Sequence, residues 1–99
     1  MIIGFGLFKF KEDSAQQGMA LLLEHIELEK SQKGNLEGYV ARGLDDPTSF
    51  FIHTKWDSKE SREAMGKAVH TSPETGKRFA EIAKLMGKEP MFGTFEVIE

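Results

Sequence analysis

The sequence predicts an α+β fold of the ferredoxin-like kind, βαββαβ, with four strands in one antiparallel sheet and helices on one of its faces. Three observations predict it. Apolar residues pass from strand-like runs to a helical period and back in that order. An Asp-Asp-Pro-Thr segment, Asp45 to Thr48, joins the two central runs. The second helical region is interrupted near Thr71-Ser72-Pro73, so its helix is expected in two pieces. The chain has 99 residues, the size of one domain spanning 1–99.

Ile2 to Phe10 is rich in β-branched and aromatic residues and reads as a strand packed on both faces. Asp13 or Ser14 offers an N-cap to a first helix. Ala15, Met19, Leu22, Leu23 and Ile26 would form its inner stripe, ending at Lys33-Gly34. Leu36 to Leu44 and Ser49 to Trp56 read as a hairpin, since aspartate bonds its own backbone and proline presets φ. Ser58 caps a second helix with Ala64, Met65 and Ala68 inward. Pro73 suits a first helical turn, and Phe79, Ile82, Ala83 and Met86 face inward from the restarted helix. Gly87 ends it, and Met91 to Ile98 is the last strand. Ile3, Phe5 and Leu7 share one face of the first strand, and Ile2, Phe8 and Phe10 the other. Both faces therefore want cover, and a second copy of the sheet is the economical cover, so a homodimer is expected.

Composition excludes several classes. Lys and Arg number 13 against 16 Asp and Glu, a formal charge of −3, a poor match to nucleic acid or anionic membrane. With no cysteine, disulfides, thiolate nucleophiles and thiolate metal sites are absent together. The longest apolar stretch, Met19 to Leu23, is far too short to span a bilayer, and Met1 to Gly4 does not open a signal peptide. A soluble cytoplasmic protein is expected. Gly4-Phe5-Gly6-Leu7-Phe8-Lys9 has neither the third glycine nor the helix start of a dinucleotide loop. It lacks the leading basic residue of an RNA-binding strand, where Ile3 stands.

His25, His53 and His70 show no metal-ligand spacing, though with carboxylates they could still converge in space; no metal and no cofactor is expected. His25 flanks the first helix's stripe and should be partly exposed. His70, at the helix break, is placed to cap or pack. If Leu44 faces Thr48 across the turn, Tyr39 lies opposite His53, Val40 opposite Ile52 and Ala41 opposite Phe51. A cross-strand Tyr–His pair is within hydrogen-bond reach and could hold a phenol or take its proton. This makes His53 a candidate catalytic residue, with Tyr39, Arg42 and Phe51 as candidate substrate contacts.

The run Phe51-Ile52-His53-Thr54-Lys55-Trp56-Asp57-Ser58-Lys59-Glu60, followed by Val69-His70-Thr71-Ser72-Pro73, resembles the antibiotic-biosynthesis monooxygenase domain family. Lys33 to Tyr39 is similar to that family's glycine turn into the second strand, and Leu44 to Phe50 to its Asp-Pro hairpin. The resemblance implies a dimeric α+β barrel with a pocket between each subunit's sheet and helices. It implies a cofactor-independent monooxygenase acting on a small aromatic, phenolic or quinol substrate and O₂. Trp56 and His70 match the family's Trp and His, the first as pocket wall or hydrogen-bond donor, the second as base or helix cap. The haem-degrading branch is not matched, because the first strand has no Asn and Met65 and Thr75 stand where its Trp and His would fall. The alternative is a non-catalytic small-molecule-binding or stress-associated barrel of the same architecture.

Overall fold

The computed structural model describes residues 1–99. Strand β1 (Ile2–Lys9) leads through a 3₁₀ turn at Glu12–Ser14 into helix α1 (Ala15–Lys30). Strands β2 (Asn35–Arg42) and β3 (Ser49–Trp56) form the hairpin, helices α2 (Lys59–Val69) and α3 (Pro73–Leu85) follow, and β4 (Met91–Glu96) closes the chain. The sheet runs β2-β3-β1-β4, all neighbours antiparallel, with the two central strands flanked by the hairpin partner and the last strand. This is the ferredoxin-like α+β fold. No helix is long and apolar enough to cross a membrane.

Alternation along the central strands decides where the core sits. Phe8 from β1, Phe10 just beyond its end, and Phe50 and Ile52 from β3 point to the helices, where they bury against Leu22, Ile26 and Ile82. A second cluster, Ile2, Trp56, Met65 and Val69, fills the space under α2. Pairing across the hairpin places Tyr39 opposite His53, Val40 opposite Ile52 and Ala41 opposite Phe51, the register expected from the Asp-Pro turn. That turn is stapled by Asp46, whose carboxylate accepts from Thr48 N at 3.1 Å and Ser49 Oγ at 3.0 Å and pairs with Lys9.

Four local expectations are corrected. Helix α1 stops at Lys30, and Gly34 (φ +88°) serves the turn into β2 rather than a helix cap. The last strand ends at Glu96, because its partner β1 begins at Ile2, opposite Glu96, and beyond it only Val97 N finds a carbonyl, that of Met1. Ser14 sits at the N-cap of α1 but caps nothing with its side chain. The fourth correction is the rotation of α1. Gly18, Leu22, His25, Ile26 and Glu29 face inward, while Leu23 is 45% exposed and His25 only 1%. The cause is the close approach at Gly18. A Cβ there would stand 2.5 Å from the Phe10 ring, so the glycine side is the one that can lie against the sheet.

The opposite face of the sheet has no helix over it. Phe5 stacks on Phe51 and on Phe95, each at 5.7 Å, and Leu7, Met91 and Phe95 are exposed around them.

Candidate functional site

Between the sheet and helices α2 and α3 lies a cavity of about 580 Å³, lined by Phe5, Arg62, His70, Thr75, Gly76, Phe79, Phe92, Gly93 and Thr94. A small inner chamber of about 60 Å³ shares Phe5, Arg62, His70, Phe79 and Phe92 with it and adds Gly4, His25, Glu29, Ile52 and Thr54. Phe79 and Phe92 give both chambers apolar wall, Arg62 and His70 bring polar groups to both, and the inner one adds His25, Glu29 and Thr54. That is the usual division of labour in a small-molecule site, apolar surface for affinity and a few polar groups for orientation.

Each polar group is positioned by its element. His25 and Glu29 are four residues apart on α1, so they project from one face. His70 is the C-cap of α2, its backbone N–H donating to Gly66 O at 3.1 Å. The break after it is locked. Ser72 Oγ donates to Val69 O at 2.9 Å and accepts from Thr75 N at 3.2 Å, and Pro73, lacking an N–H, begins α3. The imidazole of His70 therefore stands on a rigid corner facing α1.

Glu29 lies between the two histidines. Its Oε2 is 2.6 Å from His25 Nε2 and 3.7 Å from His70 Nε2. The two imidazoles stack at 5.7 Å, and Phe79 meets the His25 ring edge-on at 4.9 Å. Burial pushes the Glu29 carboxyl up, but the two imidazoles against it pull harder and hold it down at about 2. It is a carboxylate at neutral pH. His25 Nε2 and Glu29 Oε2 are thus in close buried contact, outside regular hydrogen-bond geometry. On the other edge of the ring, Nδ1 is 3.5 Å from Arg78 Nη1, while Arg78 Nη2 donates to Glu24 at 3.1 Å. The ligating atoms of His25, Glu29 and His70 all lie within 4.8 Å of one another, a set able to hold a metal ion. Arg62 borders both chambers, and its Nε is buried without a partner.

The residues singled out from sequence divide across the sheet. His70 is in the cavity wall. Trp56 is one layer behind it: fully buried, it donates from Nε1 to Thr54 Oγ1 at 2.9 Å, and Thr54 lines the inner chamber. His53, Tyr39 and Phe51 are on the far face. Tyr39 and His53 are cross-strand neighbours, but their rings stack at 4.8 Å and 22° rather than joining through a hydrogen bond. The nearest carboxylate to His53 is Glu37, 3.8 Å from Nδ1. Arg42 lies over the Phe50 ring, 5.6 Å from its centroid, outside the cavity. His25, expected partly exposed, is buried. Glu29 and Arg62 had no place in the sequence-based set, although a His and a Glu four apart on one helix are the signal that could have flagged the pair.

Residues 1–72 match the model of the family described as Antibiotic biosynthesis monooxygenase. The chain belongs to that family. The matched span carries Trp56, His70, His25, Glu29 and Arg62, while α3 and β4, which bring Phe79 and Phe92 to the cavity, lie beyond it. Solved structures reproduce the architecture over the whole length. A candidate antibiotic biosynthesis monooxygenase from Deinococcus radiodurans superposes with a TM-score of 0.85 at 19% identity, over 100% of this chain and 94% of that one. Rv0793 from Mycobacterium tuberculosis gives 0.82 at 13% identity, over 99% and 95%. A variant of SnoaB, a cofactor-independent oxygenase from Streptomyces nogalater, gives 0.80 at 11% identity, over 99% and 93%. Identities this low speak for a shared fold alone. No curated protein matches the sequence.

Proposed function

We propose that this monooxygenase-family protein oxidises a small phenolic or quinol-type aromatic with O₂ and without a cofactor, using His70 as the base. The observation that carries the proposal is the place of His70, on a rigid helix corner at the junction of the two chambers with the Glu29 carboxylate behind it. His70 faces Glu29 through Nε2, which leaves Nδ1 as its other proton-accepting atom. The Glu29 carboxylate can hold and orient the His70 ring while a substrate hydroxyl or acidic C–H gives up its proton to it. The resulting anion is electron-rich and can itself reduce O₂. The balance needs no further reductant: a CH₂ flanked by aromatic rings plus O₂ gives a ketone plus water, with one oxygen atom in each product. Arg62 supplies positive charge where the substrate's negative charge develops, and the rings of Phe79 and Phe92 give the substrate apolar walls. Trp56 takes part by holding Thr54 rather than by touching substrate.

The uncovered sheet face supports the second half of the reading, a homodimer in which two sheets pack face to face. Phe95 and Met91 are 58% and 60% exposed around the stacked Phe5–Phe51–Phe95 rings, a contiguous cluster of apolar side chains of the kind a partner covers. Tyr39, His53 and Phe51 then belong to the seam.

The test is oxygen consumption by metal-stripped protein with hydroquinones, naphthols and anthrones. Uptake above the autoxidation rate is expected, reduced by roughly 10²–10⁴-fold in His70→Ala and unchanged in magnitude class in His53→Ala. Loss of activity in His53→Ala with His70→Ala fully active would place the base on the other face and refute the assignment.

A further inference from the structure

We propose that His25, Glu29 and His70 also form a binding site for one divalent cation of the zinc class. The starting point is an unexplained group. His25 is 1% exposed and borders the inner chamber, and its Nε2 stands 2.6 Å from Glu29 Oε2 outside regular hydrogen-bond geometry. A buried polar atom left this way costs free energy unless something occupies the direction in which it points. The neighbours of that direction are a second imidazole and a carboxylate, and the three ligating atoms lie within 4.8 Å of one another.

The distances can be adjusted to an ion shared by the three groups. Zinc holds nitrogen and oxygen at about 2.0–2.2 Å, which sets tetrahedral ligands roughly 3.3 Å apart. The Glu29 oxygen stands 2.6 Å from one imidazole nitrogen and 3.7 Å from the other, so the two separations bracket that value. Side-chain shifts below an ångström would make them equal. His25 and Glu29 are held by consecutive turns of α1 and His70 by the corner at Ser72-Pro73, so the ligands are fixed before the ion arrives. The chamber, about 60 Å³, has room for an ion and a water, and it shares walls with the larger cavity, which provides entry and an open fourth position.

The donor set chooses the ion. Two imidazoles and one carboxylate suit Zn²⁺, Co²⁺, Ni²⁺ or Cu²⁺, whereas Mg²⁺ and Ca²⁺ want oxygen. Two guanidiniums flank the set. Arg62 borders the chamber, and Arg78 reaches His25 Nδ1 at 3.5 Å while held by Glu24 at 3.1 Å. Their charge favours an anionic fourth ligand such as hydroxide, and ligation through His25 Nε2 puts the ring proton on Nδ1, so Arg78 must turn away from that atom toward Glu24 when the ion binds. A cation here occupies the His70 lone pair, so ion binding and proton abstraction by His70 exclude each other; that consequence alone rests on the functional reading above.

The experiment is a titration of the metal-stripped full chain with Co²⁺, followed by its visible absorption, and with Zn²⁺ by calorimetry, both without substrate. One ion per chain is expected, with the strong visible bands of low-coordinate Co²⁺, displaced by Zn²⁺ and not by Mg²⁺ or Ca²⁺. His70→Ala and Glu29→Gln should weaken binding by more than roughly 100-fold, beyond the loss caused by removing a merely supporting hydrogen bond. If Glu29→Gln fails to fold, histidine ¹⁵N spectra of the unaltered protein decide the matter: Zn²⁺ must move the ring nitrogens of His25 and His70 and leave those of His53. Absence of stoichiometric binding, full affinity in His70→Ala, or shifts centred on His53 would overturn the site. Because no substrate is present, failure here leaves the oxygenase reading standing, and failure of oxygen uptake leaves the ion site standing.

Discussion

Phe50 and Phe51 are adjacent on β3 and differ in almost everything that decides the cost of truncating them. Phe50 is 2% exposed, packs on the Phe10 ring at 5.8 Å and supports the Arg42 guanidinium at 5.6 Å. Phe50→Ala removes a full core side chain, an aromatic pair and a cation–π contact, so the fold itself should lose about 3–5 kcal/mol. For a domain of this length that is a fall in Tm of roughly 15–30 °C. Phe51 lies on the uncovered face, 5.7 Å from Phe5, and remains partly exposed in the single chain. Phe51→Ala should cost the isolated fold about 1 kcal/mol and should act mainly on association. The assay is urea unfolding at protein concentrations spanning two decades, beside sedimentation equilibrium. Phe50→Ala should lower the midpoint at every concentration, and Phe51→Ala should weaken the proposed dimer and flatten the concentration dependence. Equal and concentration-independent losses in both variants would refute the division of the sheet into a helix-covered and a chain-covered face.

Gly18→Ala sets a Cβ 2.5 Å from the Phe10 ring and should destabilise by about 1–3 kcal/mol despite alanine's better helix propensity, read by thermal unfolding; a stabilised variant would show that α1 does not sit as close as described. Ser72→Ala removes the cap of α3 and one of the bonds that fix the His70 corner, for a loss of about 1 kcal/mol and a larger proportional loss of oxygenase rate; intact rate would detach the corner from the chemistry. The Lys9 ammonium, with Thr48 and Ser49, holds the Asp46 carboxyl well below the usual carboxylate range. A carboxyl lowered in the fold stabilises it above its unfolded value and loses that contribution as pH falls. The stability gap between the unaltered protein and Asp46→Asn should therefore be level above about pH 5 and narrow below about pH 4; a gap constant from neutrality to pH 2.5 would contradict the pairing.

The fold was legible because its signals are local. Asp46 and Pro47 settle the turn, the turn settles the register, and alternation on β3 then tells Phe50, Ile52 and Trp56 from Phe51 and His53. The phase of α1 was not legible in the same way. The stripe through Met19 and Leu23 and the stripe through Gly18 and His25 share Leu22 and Ile26, and hydropathy prefers the first. Packing prefers the second, because only the glycine side admits the Phe10 ring. That choice leaves Leu23 in water and brings a histidine and a glutamate into the interior.

The candidate site follows from that rotation. A buried glutamate cannot be left alone, and on α1 its available partner is the histidine one turn earlier. Together they need a third group across the helix interface, and the α2 corner offers His70. His53 drew attention for the opposite reason: hairpin register brought it beside Tyr39, and an aromatic–imidazole pair on a strand looks like chemistry. Register says which residues are neighbours, and both are indeed neighbours. It does not say which side of the sheet the helices will roof, and a cavity needs walls on two sides. The roofed side received α2 and α3 with His70, Arg62 and Phe79. The Tyr39–His53 pair stayed on the open side, its rings stacked at 4.8 Å and 22°.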